Sequence, residues 1–219
     1  MKNKVKNIIG ELARLYPNPV CALIYSEPHE LMIAARLSAQ CTDKRVNMVT
    51  PALFARFTSI DGFAEADVSE VEEYVHSCGL YKTKASDIVN MCRIIRDEFG
   101  GVIPDNLNDL LKLPGIGRKT ANLLTGTLYG KPAVVTDTHV IRLSNRLGLI
   151  KPKSDNPLKI ELALREIIPE SEQMNFCHRL VFFGRDVCKA QKPQCENCVL
   201  KPFCVYLSEP KRLKTSRKP

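Results

Sequence analysis

No apolar run in this chain approaches the roughly 18 residues that a membrane-spanning helix needs, so it is not expected to cross a bilayer. The start, Met1-Lys-Asn-Lys-Val-Lys-Asn7, is basic but lacks the apolar stretch of a secretory signal, which makes the cytoplasm the expected compartment. Sustained apolar/polar alternation is missing, and Val134-Val135 is too short to seed a sheet. Internal repeats and low-complexity linkers do not occur. Nine cysteines make an odd count in a chain with no export signal, so a disulfide framework is not expected either. What is left is a globular all-α protein of 219 residues, 44% hydrophobic, long enough for one good core or two small ones.

The formal net charge is +8, but five of the positive charges sit in Lys211 to Pro219, leaving +3 for everything else. Charge alone is therefore a weak argument for a polyanionic partner.

Helical spacing carries the fold. Val5, Ile8, Ile9, Leu12 and Leu15 mark a first helix that Pro17 and Pro19 end. Pro28 suits a first helical position, and the apolar run from Leu31 to Leu37 reads as a helix buried on most sides. Thr42 or Asp43 would cap the next helix, Lys44 to Phe57, which Pro51 is expected to break or kink. Further helices are predicted over Ser69 to His76, Thr83 to Phe99, Asn108 to Lys112, Thr138 to Leu147, Pro157 to Ile168 and Ser171 to Phe183, with a turn at Gly79-Leu-Tyr-Lys82.

The stretch with the most chemistry is Leu113-Pro-Gly-Ile-Gly-Arg-Lys-Thr-Ala-Asn122, followed by Val134-Val-Thr-Asp-Thr-His139. Gly115 and Gly117 around Ile116 allow a tight reversal with no side chains to block close approach. Backbone NH groups of such a turn and of the following helix N-terminus converge on a phosphate-sized point, and Arg118 and Lys119 add positive charge. In a helix running to Tyr129, Lys119 lies about 15 Å from the helix end. The return leg from Lys131 to Asp137 spans up to about 20 Å, enough to bring the carboxylate back beside the amine. A neutral lysine amine is a nucleophile, and an aspartate can take its proton or stabilise developing positive charge.

Cys21, Cys41, Cys78, Cys92 and Cys177 fall in mostly apolar segments and read as small buried hydrophobes. The other four form Cys188-x6-Cys195-x2-Cys198-x5-Cys204, a thiolate set able to hold zinc or an iron-sulfur cluster. Lys189, Lys192 and Lys201 in these loops would present positive charge on a metal-braced surface.

The decapeptide from Leu113, the run Val135-Thr-Asp-Thr-His-Val-Ile-Arg-Leu-Ser-Asn-Arg-Leu-Gly148 and the cysteine ending together resemble the endonuclease III family of helix-hairpin-helix DNA glycosylases with AP lyase activity. The resemblance runs from Leu31 to Cys204, and the N-terminal helix also fits. It implies a six-helix domain over 21–132, carrying the helix-hairpin-helix, and a cluster domain made of 1–20 plus 133–219, with a DNA-binding cleft between them. By position it makes Lys119 the catalytic lysine, Asp137 the catalytic aspartate, and Cys188, Cys195, Cys198 and Cys204 the ligands of a 4Fe-4S cluster. Gln40 and Leu80 match residues that fill the gap left when a damaged nucleotide is flipped out of the duplex. Gly115, Ile116, Gly117, Arg118, Lys189 and Lys192 complete the expected DNA-binding set. The implied activity is removal of oxidised pyrimidines from double-stranded DNA, followed by β-elimination at the abasic site through a lysine Schiff base. A nucleoid-associated monomer with no membrane partner is the expected setting. Cys41 departs from the alanine or threonine of many relatives, which bears on fine substrate preference. Two competitors stay open: an adenine mismatch glycosylase, opposed by Lys119 and by the end of the chain about 15 residues after Cys204, and a noncatalytic DNA-binding module.

Overall fold

The computed structural model describes residues 1–208, among which no β-strand occurs; the basic stretch from Lys211 lies outside them. In chain order the helices are α1 (Lys2–Leu15), α2 (Pro28–Leu37), α3 (Asp43–Arg56), α4 (Ile60–Glu65), α5 (Val68–Val75), α6 (Tyr81–Phe99), α7 (Leu107–Leu110), α8 (Arg118–Tyr129), α9 (Thr138–Arg146), α10 (Pro157–Ile167) and α11 (Gln173–Asp186). They divide into two units. One is Val20–Val135; the other is Met1–Pro19 together with the chain from Thr136 onward.

In the unit Val20–Val135, α2 is the central element. Pro28 opens it, Glu27 and Glu30 form a reciprocal capping box, and every side chain from Leu31 to Leu37 is buried. The long helix α6 packs on α4, α5 and α2 through Ala85, Ile88, Val89, Cys92 and Ile95, all fully buried. Each branched aliphatic of that stripe contributes about 1.5–3 kcal/mol of burial. Gly100 takes the left-handed conformation at φ +60° and stops α6; Gly130, at φ +62°, does the same for α8.

In the other unit α11 is central. Phe176, Leu180 and Phe183 are buried, as are Val5, Ile8 and Leu12 of α1, which packs on α11. Helix α9 lies against α11 with Val140 and Leu143 inward, and its close approach is set by Gly184. A Cβ there would lie 2.5 Å from His139 Nδ1 and 3.0 Å from Arg142 Nη2.

Several local expectations change. Pro51 sits inside α3, which runs on to Arg56. The turn at 79–82 shrinks to Gly79 and Leu80, because Tyr81 and Lys82 already belong to α6. Helix α4 has no counterpart in the sequence reading: at six residues it is too short to show a period, and its signal is Ser59, whose hydroxyl accepts from Gly62 N at 3.1 Å. Of the five scattered cysteines, Cys78, Cys92 and Cys177 are buried, whereas Cys21 and Cys41 are half-exposed.

Candidate functional site

The 113–117 turn is fixed from beneath. Leu113 and Ile116 are buried in the core of their unit, and Ile116 N donates to Leu113 O at 3.1 Å. The Ile116 side chain therefore faces inward and its NH is used within the turn, so it serves the turn as an anchor. Gly115 has φ +75°, and a Cβ there would run into the Arg36 side chain and stand 2.7 Å from Asp87 Oδ2. Arg36 and Asp87 form a largely buried ion pair, Nε to Oδ2 2.7 Å and Nη2 to Oδ2 2.6 Å. Position 115 thus demands glycine twice, by conformation and by space. Gly117 differs. It has extended backbone (φ −89°, ψ 171°), and no described atom lies within 4 Å of a Cβ built on it. Its missing side chain leaves room on the outer face instead.

Gly117 is also the N-cap of α8 and supplies no side-chain acceptor for the first-turn NH groups. Such a terminus carries partial positive charge, about half an elementary charge, and attracts an anion. Lys119 is exposed in that first turn. A cation there opposes the helix dipole by about 0.3–1 kcal/mol, a cost that a bound phosphate reverses.

Gln40 and Leu80 project from two neighbouring turns of the same unit. Both adopt left-handed backbone, φ +54° and +49°, and among the described residues the only other non-glycine to do so is Lys192, at +48°. That conformation costs roughly 1–2 kcal/mol for an L-residue, and strain of this kind gathers at functional positions. Gln40 is exposed, and Leu80 is 58% exposed, so core packing does not explain the leucine. One buried side chain holds both turns. Lys84, fully buried on α6, donates from Nζ to Leu37 O and to Cys78 O, each at 2.8 Å. Burial lowers its pKa, and the neighbouring Cys41 and Cys78 sulfurs oppose that shift.

In the other unit Asp137 caps α9, its Oδ1 accepting from Val140 N at 2.8 Å. The carboxylate is half-buried and acts electrostatically on His139, His178 and Arg142. Burial lowers the pKa of both histidines, and Asp137 pulls each back up; at His139, Arg142 and Arg185 push down as well.

The same helix grips the cysteine loop. Arg142 donates to Gly184 O (3.1 Å) and Cys188 O (3.1 Å), and its Nη2 lies 3.0 Å from His139 Nδ1. One turn on, Arg146 donates to Cys188 Sγ (3.2 Å), Lys189 O (2.8 Å) and Ala190 O (3.1 Å). Its own carbonyl accepts from Val205 N (2.9 Å) and from Cys204 Sγ (3.4 Å). Cys188, Cys195, Cys198 and Cys204 are all free and half-exposed. Burial raises the Cys198 pKa, and charge on Cys188, Cys204 and Cys195 pushes the same way, so the four thiols are gathered within mutual electrostatic reach. Among the described residues no three His, Cys, Asp or Glu side chains are arranged to hold a single metal ion. Four free thiols on one loop are a donor set that an iron-sulfur cluster or zinc takes as thiolates. Lys189 and Lys192 are exposed on the loop surface.

The expected residues thus divide between the units. Gln40, Leu80, the hairpin and Lys119 lie in Val20–Val135, while Asp137, the four cysteines, Lys189 and Lys192 lie in the other. Sequence reasoning missed Lys84, the Arg36–Asp87 pair and the Arg142 and Arg146 grips. Lys84 left a signal, since it stands one turn before Ile88 on the apolar stripe of α6. Arg142 and Arg146 are an i, i+4 pair, which places them on one face.

Residues 33–170 match the model of the HhH-GPD superfamily of base excision DNA repair proteins, and residues 188–204 that of the iron-sulfur binding domain of endonuclease III. The endonuclease III of Synechocystis sp. is 45% identical over 204 residues, 93% of this chain and 92% of that one. That of Bacillus subtilis is 39% identical over 92% of this chain and 91% of its own. A solved endonuclease III–DNA covalent intermediate, an estranged-adenine complex, superposes with a TM-score of 0.89 at 41% identity, covering 94% of this chain and 96% of its own.

Proposed function

Because the chain belongs to the HhH-GPD superfamily of base excision DNA repair proteins, and within it to the endonuclease III family, we propose that Lys119 is its nucleophile and Asp137 the carboxylate that serves it. The chain is a DNA glycosylase with AP lyase activity, and its C-terminal cysteines carry a 4Fe-4S cluster. The substrates that fit are oxidised pyrimidines and abasic sites in duplex DNA, met in the cytoplasm at the nucleoid. No helix among the described residues is long and apolar enough to cross a membrane.

The observation that carries the reading is the exposed amine of Lys119 in the first turn of a helix with no side-chain cap, entered by a turn locked on Arg36 and Asp87. The helix N-terminus binds a backbone phosphate, with Gly117 leaving room for the strand to approach. That contact places the sugar beside the amine. Neutral Lys119 attacks C1′ and the base departs with the bonding electrons; the nitrogen loses one proton, and the sugar ring then opens as the nitrogen lone pair forms C1′=N, the C1′–O4′ bond breaking and O4′ taking up a proton, which leaves a protonated Schiff base. Loss of a proton from C2′ then expels the 3′ phosphate by β-elimination. Asp137 helps remove the amine proton and stabilises the oxocarbenium-like transition state.

A base inside a duplex must first be extruded, at a cost of a few kcal/mol. Gln40 and Leu80, an amide and an aliphatic side chain on strained turns, fill the vacated stack. When bound, the cluster supplies a brace for the 188–204 loop, and Cys188, Cys195, Cys198 and Cys204 would hold it. Arg142 and Arg146 join that loop to the helix Asp137 caps, and Lys189 and Lys192 face the phosphates from it.

Borohydride trapping tests the assignment. Wild type should crosslink covalently to abasic DNA and Lys119→Ala should not; a wild type that does not trap, or a Lys119→Ala that does, refutes it.

A further inference from the structure

Arg146 stands where the two ends of the cysteine loop meet. Its Nη1 donates to Cys188 Sγ at 3.2 Å and to Lys189 O at 2.8 Å, and its Nη2 to Ala190 O at 3.1 Å, so one planar fork serves three acceptors. The far end of the loop closes over the same residue. Val205 N and Tyr206 N donate to the Arg146 carbonyl at 2.9 and 3.2 Å, and the Tyr206 ring centroid lies 4.4 Å from the guanidinium carbon, within cation–π range. These contacts fix where the charge sits. None of the three acceptors is a carboxylate, so the charge is left to act on the loop itself.

We infer that Arg146 sets the reduction potential of the iron-sulfur cluster by donating a hydrogen bond to the sulfur of one of its ligands. Cys188 and Cys204 enter here as proposed cluster ligands, on which the inference rests. As a ligand Cys188 is a thiolate, and the bond from Arg146 becomes charge-assisted, roughly twice as strong as one between neutral groups. Ligation also takes the Cys204 proton and ends its bond to the Arg146 carbonyl, while Val205 N and Tyr206 N keep donating there. The redox step is the uptake of one electron by the cluster, with no bond made or broken, and the added charge spreads over the irons and the sulfurs, Cys188 Sγ among them. A cationic donor on that sulfur stabilises the reduced form more than the oxidised one and so raises the potential; hydrogen bonds to the sulfurs and net charge are two of the levers that set it. Arg142 offers a comparison within the same fold. It holds the same loop, donating to Cys188 O at 3.1 Å, but its partners are carbonyls and His139 and not a sulfur. Arg146 is thus a positioning residue that acts on the cluster through its ligand.

The test is voltammetry of the full-length holoenzyme without DNA, each protein first checked for a full cluster by iron and sulfide analysis. Arg146→Met should move the cluster potential in the negative direction, changing the ratio of oxidised to reduced cluster at a fixed potential at least about tenfold, which is about 59 mV for one electron. Arg146→Lys, which returns a cation to the site, should recover part of that shift, and Arg142→Met should move the potential less than Arg146→Met. If Arg146→Met does not retain its cluster, Arg146→Gln, whose amide still donates to the loop, carries the same expectation and the same threshold. A smaller change, a positive shift, no recovery in Arg146→Lys, or an equal shift in Arg142→Met overturns the inference. The ligand reading fails separately: a Cys188→Ala protein that keeps its full iron and sulfide shows that Cys188 is not a ligand, whatever Arg146→Met does.

Discussion

Replacing Lys84 by methionine keeps an unbranched stem in the same buried space and removes only the ammonium. Two carbonyls, Leu37 O and Cys78 O, lose their 2.8 Å donors. A hydrogen bond to a charged group is worth about 1.5–3 kcal/mol net, so the two sum to roughly 3–6 kcal/mol. Methionine also escapes the desolvation of an ammonium, several kcal/mol, which offsets part of the loss and sets the expectation at the lower end, about 3 kcal/mol. At a urea slope of about 2 kcal/mol per molar, the midpoint should fall by about 1.5 M with the slope unchanged. The left-handed conformations of Gln40 and Leu80 together cost about 2–4 kcal/mol, comparable to what the tie supplies, so the turns should relax when it is lost. A structural buried lysine would lower all activities alike. The tie predicts instead that cleavage of a damaged base in duplex DNA falls much more than lyase activity on a single-stranded abasic oligonucleotide, where no stack needs filling. Stability within 0.5 kcal/mol of wild type, a limit set by the scatter of ordinary surface substitutions, would refute the reasoning, as would an equal fall in both activities.

Gly115→Ala should cost about 3 kcal/mol in urea unfolding, from the left-handed backbone and the encroachment on Arg36 and Asp87. Gly117→Ala should leave unfolding within about 0.5 kcal/mol yet weaken duplex binding, because its extended backbone accepts a side chain and only the DNA loses space. Asp137→Asn retains a capping oxygen for Val140 N, so the fold and DNA binding should survive while base excision is lost; a binding loss as large as the rate loss would contradict the role. Arg146→Met removes the donors to Cys188 Sγ, Lys189 O and Ala190 O, and iron and sulfide analysis after brief chelator exposure should show faster cluster loss than in wild type. Burial holds the His178 pKa below its ordinary value of 6.5 in the fold. The unfolded chain therefore binds the extra proton first as pH falls below that value, and His178→Gln should lessen the loss of stability on acidification.

The helices were legible wherever an apolar period ran for two turns or more. The α6 stripe and its glycine stop follow directly from the order of residues 83 to 100, and Gly130 ends α8 for the same reason. Pro51 misled because a proline rule is local, whereas α3 is held by Val46, Thr50 and Leu53 in the core, and packing overrides propensity. The two glycines of the hairpin looked alike in sequence, and only the structure separates them. Gly115 is required by a buried ion pair from two distant helices, and Gly117 by nothing inside the described protein.

The chemistry-bearing residues were readable by type and spacing, but what holds them was not, because the supports are side chains reaching across the fold to backbone carbonyls. Lys84 serves the turns of Gln40 and Leu80 through atoms at positions 37 and 78, and Arg146 serves the cluster loop through positions 188 to 190. Carbonyl acceptors leave no mark in a sequence, since every residue has one. The mark left instead is a charged residue on an apolar face: lysine heads the buried stripe of α6, where a core reading would put leucine. An aliphatic residue there would satisfy the core and leave two buried carbonyls without donors next to strained turns. The lysine is therefore better explained by the turns it fixes than by the core it interrupts, and Lys84→Met separates the two explanations.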